Sequence, residues 1–260
     1  MAAGGALRFL EPLRVGAALE RRSWIGDVAV KEGRSGPLVF VHVRHEVRQD
    51  SALALSEDQH IVYCGPGAAG ESPPRRPRSG PTPSWMRTIR PDAALLFRYS
   101  ALTYNGHRIH YDRRYATEEE GYAGLVVYGP LVATYLLDLC LRNRPGNSVA
   151  EFAYRPIRPL FEDEPIVLAG QPDESGETSE LWALGPAGEV AIRASARFGA
   201  AGTGPDWRGA DTGESGERTW GDRCFRRYLG EIVVGRNRVA AICRPSESGL
   251  SDSIRAGSRR

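Results

Sequence analysis

The sequence predicts an α+β chain in which antiparallel strands wrap one buried helix. Three observations predict it. A segment opened by Gly129-Pro130 and closed by Pro145-Gly146 carries apolar side chains on most faces, as a helix inside a core does. Four strand-like runs follow it, at about 149–157, 164–171, 178–185 and 189–198. Ahead of it, residues 6–66 hold further strand-like runs. A buried helix followed by a meander of antiparallel strands is the order of a hot-dog fold.

Taken from the N-terminus, residues 1–66 form the first unit. Gly36-Pro37 opens the run Leu38 to Val47, rich in β-branched residues, and Leu53 to Cys64 alternates more loosely. Gln49-Asp50-Ser51 is the hairpin turn expected between them. Residues 67–84 are rich in Gly, Pro, Ser and Arg, with Pro73-Pro74 and Pro77, and read as a linker.

Residues 85–198 form the second unit. Trp85 to Arg90 suggests a short strand. Pro91-Asp92 starts a helix, with Leu95, Leu96, Tyr99 and Leu102 at helical spacing and Asp92 near its positive end. A polar, aromatic loop follows. The buried helix then begins with Pro130 at its first turn, and Leu131, Tyr135, Leu136, Leu139 and Cys140 fill one side. Pro172-Asp173 and Gly185 to Gly188 separate the last three strands. Residues 199–260 are rich in Gly, Ser and Arg, and only Phe225 to Cys243 carries apolar clusters, so this part reads as a poorly ordered tail.

A faint internal echo links the units. Glu11 to Leu19 resembles Arg158 to Ile166, and each runs into hairpins, which suggests two half-copies. The first copy has no counterpart of the 130–144 helix, so its sheet is expected to expose an apolar face.

Composition narrows the function. An apolar content of 41% over 260 residues supports a core. A net charge of +2 argues against a dedicated nucleic-acid binder. No apolar run approaches the ~20 residues that cross a bilayer, and no signal peptide is recognisable. A cytoplasmic chain with no membrane partner is expected. Cys64, Cys140, Cys224 and Cys243 show no CxxC spacing, so neither a zinc site nor a redox pair is expected. Lys31 is the only lysine, which marks the arginine excess as a coding bias rather than a set of chosen ligands.

The chemistry concentrates in two places. His107 and His110 lie three apart beside Asn105, Arg108 and Asp112, on a loop between two apolar helices. Loops held on rigid elements are where reacting groups gather, and histidine moves protons in both directions near neutral pH. A metal would need a third ligand at a supporting spacing, and none is present. Local bracing of the loop by Asn105 and Asp112 is the competing reading. The second place is Tyr128-Gly129-Pro130. A glycine at a helix start exposes a backbone N–H and the positive end of the dipole, which suits an enolate oxygen, although a turn glycine feeding a proline has the same appearance.

Two segments carry a resemblance. Thr103 to Asp112, followed by Gly124 to Leu131, is similar to the MaoC-like acyl-thioester hydratases and dehydratases, and most to their FAS1-like branch, which includes mesaconyl-CoA and methylfumaryl-CoA hydratases. Lys31 to Val41 with Val43 to Glu46 resembles the N-terminal half of that branch, so the likeness covers about residues 11–198.

The resemblance implies a double hot dog, here with an incomplete N-terminal half, that adds water to a 2-enoyl thioester or removes it from a 3-hydroxyacyl thioester. It places the catalytic histidine at His110 and the thioester oxygen at the Gly129 N–H. The family's aspartate position falls on Asn105, which can orient a water but cannot take its proton. Substrate contacts are expected from Arg108, Arg98 and Tyr128, the two arginines toward a substrate carboxylate, and from Arg158 or Arg155 toward CoA phosphates. No cofactor or metal is implied. The substrate is an acyl-CoA or acyl-carrier-protein thioester, and a homodimer is the assembly expected. A non-catalytic acyl-thioester-binding subunit and a truncated, inactive paralogue remain as alternatives.

Overall fold

The computed structural model describes residues 2–33, 36–64, 77–78 and 82–199. The expected tail over 199–260, Gly199 apart, and most of the 67–84 linker fall outside these residues. One antiparallel sheet of nine strands dominates, with strand order β2-β3-β4-β1-β6-β9-β8-β7-β5. In chain order these are β1 (Ala2–Phe9), β2 (Leu19–Gly33), β3 (Gly36–Gln49), β4 (Ala52–Cys64), β5 (Trp85–Ile89), β6 (Val149–Pro156), β7 (Ile166–Pro172), β8 (Thr178–Leu184) and β9 (Val190–Phe198). Two α-helices, α1 (Ala93–Leu102) and α2 (Gly129–Asn143), lie between β5 and β6.

The strand order reads the same outward from the β1–β6 junction: β1, β4, β3, β2 on one side and β6, β9, β8, β7 on the other. The echo in the sequence lies on equivalent connections. Residues 10–18 join β1 to β2 and residues 157–165 join β6 to β7, nine residues in each case. The junction is antiparallel, with Ala6 opposite Ala153 and Leu7 opposite Phe152. Gly5 admits the Tyr154 ring there, since a Cβ on it would come within 2.8 Å of that ring.

The second half carries the core. α2 packs against β5 through β9. Leu131, Val132, Leu136, Leu139 and Cys140 meet Leu168, Leu181, Ala183, Ile192 and Ala194, all buried. β9 alternates buried Ala194, Ala196 and Phe198 with exposed Arg193, Ser195 and Arg197, which is the period of two that a half-buried strand imposes. Asp92 caps α1, its Oδ1 accepting from the Leu95 N–H at 2.7 Å.

The first half differs. Its hairpin turn is built by Asp50 and Ser51, both at positive φ, which matches the twist of the flanking strands. Among the described residues α2 reaches only β1 of this half, and Leu19, Trp24, Ile25, Val28 and Val30 on β2 are exposed. β1 and β2 carry no separate signal within the strand-like runs of residues 6–66. β1 holds Ala2-Ala3-Gly4-Gly5-Ala6, a composition of weak strand preference, and it is extended because β4 and β6 pair with it on both sides.

Candidate active site

The loop after α1 is shaped by local hydrogen bonds. Tyr104 takes the left-handed conformation at φ 53°, and the Asn105 N–H donates to the Ser100 carbonyl at 3.0 Å, turning the chain back across the helix end. The Asn105 Oδ1 accepts from the His107 N–H at 2.8 Å. A short 3₁₀ turn, Arg108–His110, then carries both Ile109 and His110 inward, where they are buried. The Arg108 guanidinium lies on Asp112 at 2.7 Å and over the Tyr115 ring at 4.1 Å. The other oxygen of Asp112, Oδ1, accepts from the Tyr115 N–H at 3.1 Å and starts a π-helical turn, Tyr115–Glu119.

The chain returns through Gly124 to Tyr128, an extended buried segment. The Val126 N–H donates to the Ile109 carbonyl at 2.9 Å, and the Val127 N–H to the Leu160 carbonyl at 2.8 Å. The Val126 carbonyl accepts from His110 Nδ1 at 2.7 Å. A carbonyl oxygen has no proton to give, so Nδ1 carries the hydrogen and Nε2 carries the lone pair. The His110 ring lies on the Tyr128 ring, 3.7 Å between centroids, and His107 meets it edge-on at 5.4 Å. Burial among these groups pushes the His110 pKa down to about 4, against the smaller opposing effect of the bond to Val126. His107 is also lowered, again chiefly by burial.

Tyr128 precedes α2, whose first residue is Gly129, and no side chain caps this end. The backbone N–H groups of the first turn therefore have no side-chain acceptor. Two hydroxyls nearby are buried without a hydrogen bond, Tyr128 Oη and Ser100 Oγ, and Thr103 lies beside the former. Burial holds the Tyr128 phenol up at about 12, so it stays protonated and able to donate.

The structure brings together His110, Tyr128 and, at the next residue, Gly129. Asn105 and Arg108 belong to the same loop, with Asn105 half-buried and Arg108 exposed. Arg98 lies apart, on the exposed face of α1 beside Phe97 and opposite the buried Leu96 and Ser100; no described residue pairs with it. The half-buried Arg158, at the start of the 157–165 connection, donates through Nε to the Val190 carbonyl at 3.2 Å. Sequence reading did not single out Ser100, Val126 or Glu162. Ser100 had a local signal, a serine on the inner side of a helix. Val126 acts through its backbone, and Glu162 through partners distant in sequence, so neither had one.

The fold defined by these strands and the single buried helix is the double hot dog. A structure of HtdX from Mycobacterium tuberculosis matches at a TM-score of 0.60 and 19% identity, over 76% of each chain. A second protein of that organism, described as having a double hot-dog fold, matches at a TM-score of 0.51 and 15% identity, over 76% of this chain and 75% of that one. The family model for hydroxyacyl-thioester dehydratase type 2 matches residues 1–162. The mesaconyl-C(4)-CoA hydratase of Chloroflexus aurantiacus is 44% identical over 207 residues, 76% of this chain and 70% of that protein. The chain belongs to the hydroxyacyl-thioester dehydratase type 2 family and is a hydro-lyase of acyl thioesters. Among the described residues no helix is long and apolar enough to cross a membrane, and no group of three His, Cys, Asp or Glu is placed to hold a metal.

Proposed function

We propose that this chain reversibly hydrates a short dicarboxylic enoyl-CoA of the mesaconyl or methylfumaryl type, with Nε2 of His110 as the base. The observation that carries the reading is the 2.7 Å bond from His110 Nδ1 to the Val126 carbonyl, which leaves Nε2 as the basic nitrogen of a ring that lies on Tyr128, the residue before the uncapped start of α2. The substrate class is supported by the 44% identity to a mesaconyl-C(4)-CoA hydratase.

In this reading Asn105 orients a water through its side-chain amide, and His110 Nε2 takes a proton from it as the oxygen bonds to C3. The C2–C3 π electrons move toward the thioester, and the enolate oxygen is met by the Gly129 N–H and the positive end of the α2 dipole. The proton then passes from the imidazolium to C2, so one water is added and His110 is regenerated. Burial serves both steps. It keeps His110 neutral across the neutral pH range, and it makes the imidazolium a strong acid that returns its proton readily. The step needs no metal or redox cofactor.

Tyr128, held protonated by burial, donates to a polar group of the acyl chain. The substrate carboxylate is assigned to a guanidinium. Arg98 is the less engaged of the two expected, because Asp112 holds Arg108. Arg158 is assigned to the CoA phosphates. A cytoplasmic homodimer acting on CoA rather than carrier-protein thioesters completes the reading.

The test is a panel of mesaconyl-, methylfumaryl- and crotonyl-CoA followed by loss of the conjugated thioester absorbance. Wild-type turnover on a dicarboxylic substrate, lost by about 100-fold or more in His110→Ala, is the expected result. Wild-type rate in His110→Ala removes His110 as the base. Equal kcat/KM for crotonyl-CoA and mesaconyl-CoA removes the dicarboxylate preference.

A further inference from the structure

Glu162 is buried, its side chain only 3% exposed, in the connection between β6 and β7. A carboxylate in such a place costs free energy unless both oxygens are paired, and an apolar side chain would pack there without that cost. Both oxygens are paired. Oε1 accepts from the Leu125 N–H at 2.8 Å, and Oε2 accepts from Nη2 of Arg113 at 2.7 Å. The Glu162 N–H also donates to the Leu125 carbonyl at 3.1 Å, so Glu162 holds both backbone groups of Leu125. Gly124 leaves room for this approach, since a Cβ there would stand 3.3 Å from Oε1.

The residues Glu162 holds flank the histidine. Leu125 precedes Val126, whose carbonyl accepts from His110 Nδ1 at 2.7 Å and whose N–H donates to the Ile109 carbonyl at 2.9 Å. Arg113 lies three residues after His110 on the other arm of the loop. One carboxylate therefore ties together the strand that selects the histidine tautomer and the loop that carries the histidine.

We propose that Glu162 is a positioning residue for the hydration reaction, acting on His110 through the Leu125–Val126 backbone. The proposal rests on His110 being the base. A carboxylate is required because two donors, the Leu125 N–H and the Arg113 guanidinium, converge on one side chain. An amide of the same shape offers one acceptor and one donor, so it satisfies one partner and opposes the other. With Leu125 released, the Val126 carbonyl moves relative to the ring, and displacements of about 1 Å in a reacting group cost up to about 100-fold in rate.

The experiment uses the full chain and Glu162→Gln, with two measurements. Steady-state hydration of the best enoyl-CoA gives kcat and KM. ¹⁵N NMR of the His110 imidazole reports which ring nitrogen carries the proton. The expected result is a kcat lowered about tenfold or more with KM within about twofold, and a His110 ring that now populates the Nε2–H tautomer. A kcat within about twofold of wild type, or a His110 that stays wholly Nδ1–H, overturns the proposal. Should Glu162→Gln fail to fold, Arg113→Gln reads the same linkage from a side chain more than half exposed: a shifted His110 tautomer supports it, and an unshifted one overturns it. The two failures are separable. Wild-type turnover in His110→Ala sinks the base assignment, whereas an unchanged kcat or an unshifted His110 tautomer in Glu162→Gln sinks only the positioning role of Glu162.

Discussion

His110 Nδ1 and the Val126 carbonyl oxygen are 2.7 Å apart, and this one bond decides which nitrogen of the buried imidazole is basic. It joins a side chain on the loop after α1 to a backbone group on the segment that leads into α2, sixteen residues further along.

The first prediction is the pH dependence of the reaction. Only neutral His110 can accept a proton, and burial lowers its pKa to about 4. The acid limb of kcat/KM is therefore expected near pH 4 rather than near the ordinary histidine value of about 6.5, with a flat profile between about pH 5.5 and 7. An acid limb at about 6.5 in the free enzyme would show that His110 is solvated or is not the base.

Stability should follow the same group. The folded pKa of His110 is depressed, so between about pH 6.5 and pH 4 the unfolded chain binds a proton that the folded chain does not. Its contribution is fully present above about pH 6.5 and is lost as the pH falls through that window, on the order of 3 kcal/mol by pH 4. His110→Gln should lose less stability than wild type when denaturant unfolding is compared at pH 7 and pH 4.5. Parallel losses in the two proteins would mean that other groups control the acid sensitivity.

In the proposed mechanism Asn105 has two separable duties. Asn105→Ala leaves the His107 N–H without its acceptor, which should cost about 1 kcal/mol, and removes the group that orients water, lowering kcat by about tenfold or more. Asn105→Asp keeps the acceptor and adds a second base, so it should fold normally and retain or exceed wild-type kcat. An unchanged kcat in Asn105→Ala would end the water-orienting role.

Tyr128 Oη is buried without a hydrogen bond, and such a group destabilises the free protein. Tyr128→Phe should therefore be neutral or stabilising, by up to about 1 kcal/mol in denaturant titration, while kcat/KM on the dicarboxylic substrate falls. Destabilisation together with full activity would place the hydroxyl in a structural network instead.

The legible parts of the fold were those with local signals. Pro91-Asp92 and Gly129-Pro130 marked the starts of α1 and α2 because caps and prolines act within one turn. The last four strands were legible because turn residues separate them and one face of each is buried. β1 was not, since Ala2 to Ala6 has little strand preference and is held extended by neighbours more than fifty residues away. In the site, His110, Asn105 and Tyr128-Gly129-Pro130 stood out as polar or turn-forming residues between apolar helices. Glu162 did not, because its carboxylate meets the Leu125 N–H across 37 residues.

The sequence by itself determined the hot-dog order of elements, the loop that bears His110 and the family. Those follow from periodicity, turn chemistry and motif, all of which operate over a few residues. Only the tertiary structure decided the rest: that β1 and β6 pair to join the two halves into one sheet, that Val126 turns Nε2 of His110 into the basic nitrogen, and that Asp112 occupies Arg108. These depend on which groups meet once the chain has closed on itself. A hydrogen bond's partner, unlike a residue's preference for helix or strand, is set by the whole packed chain.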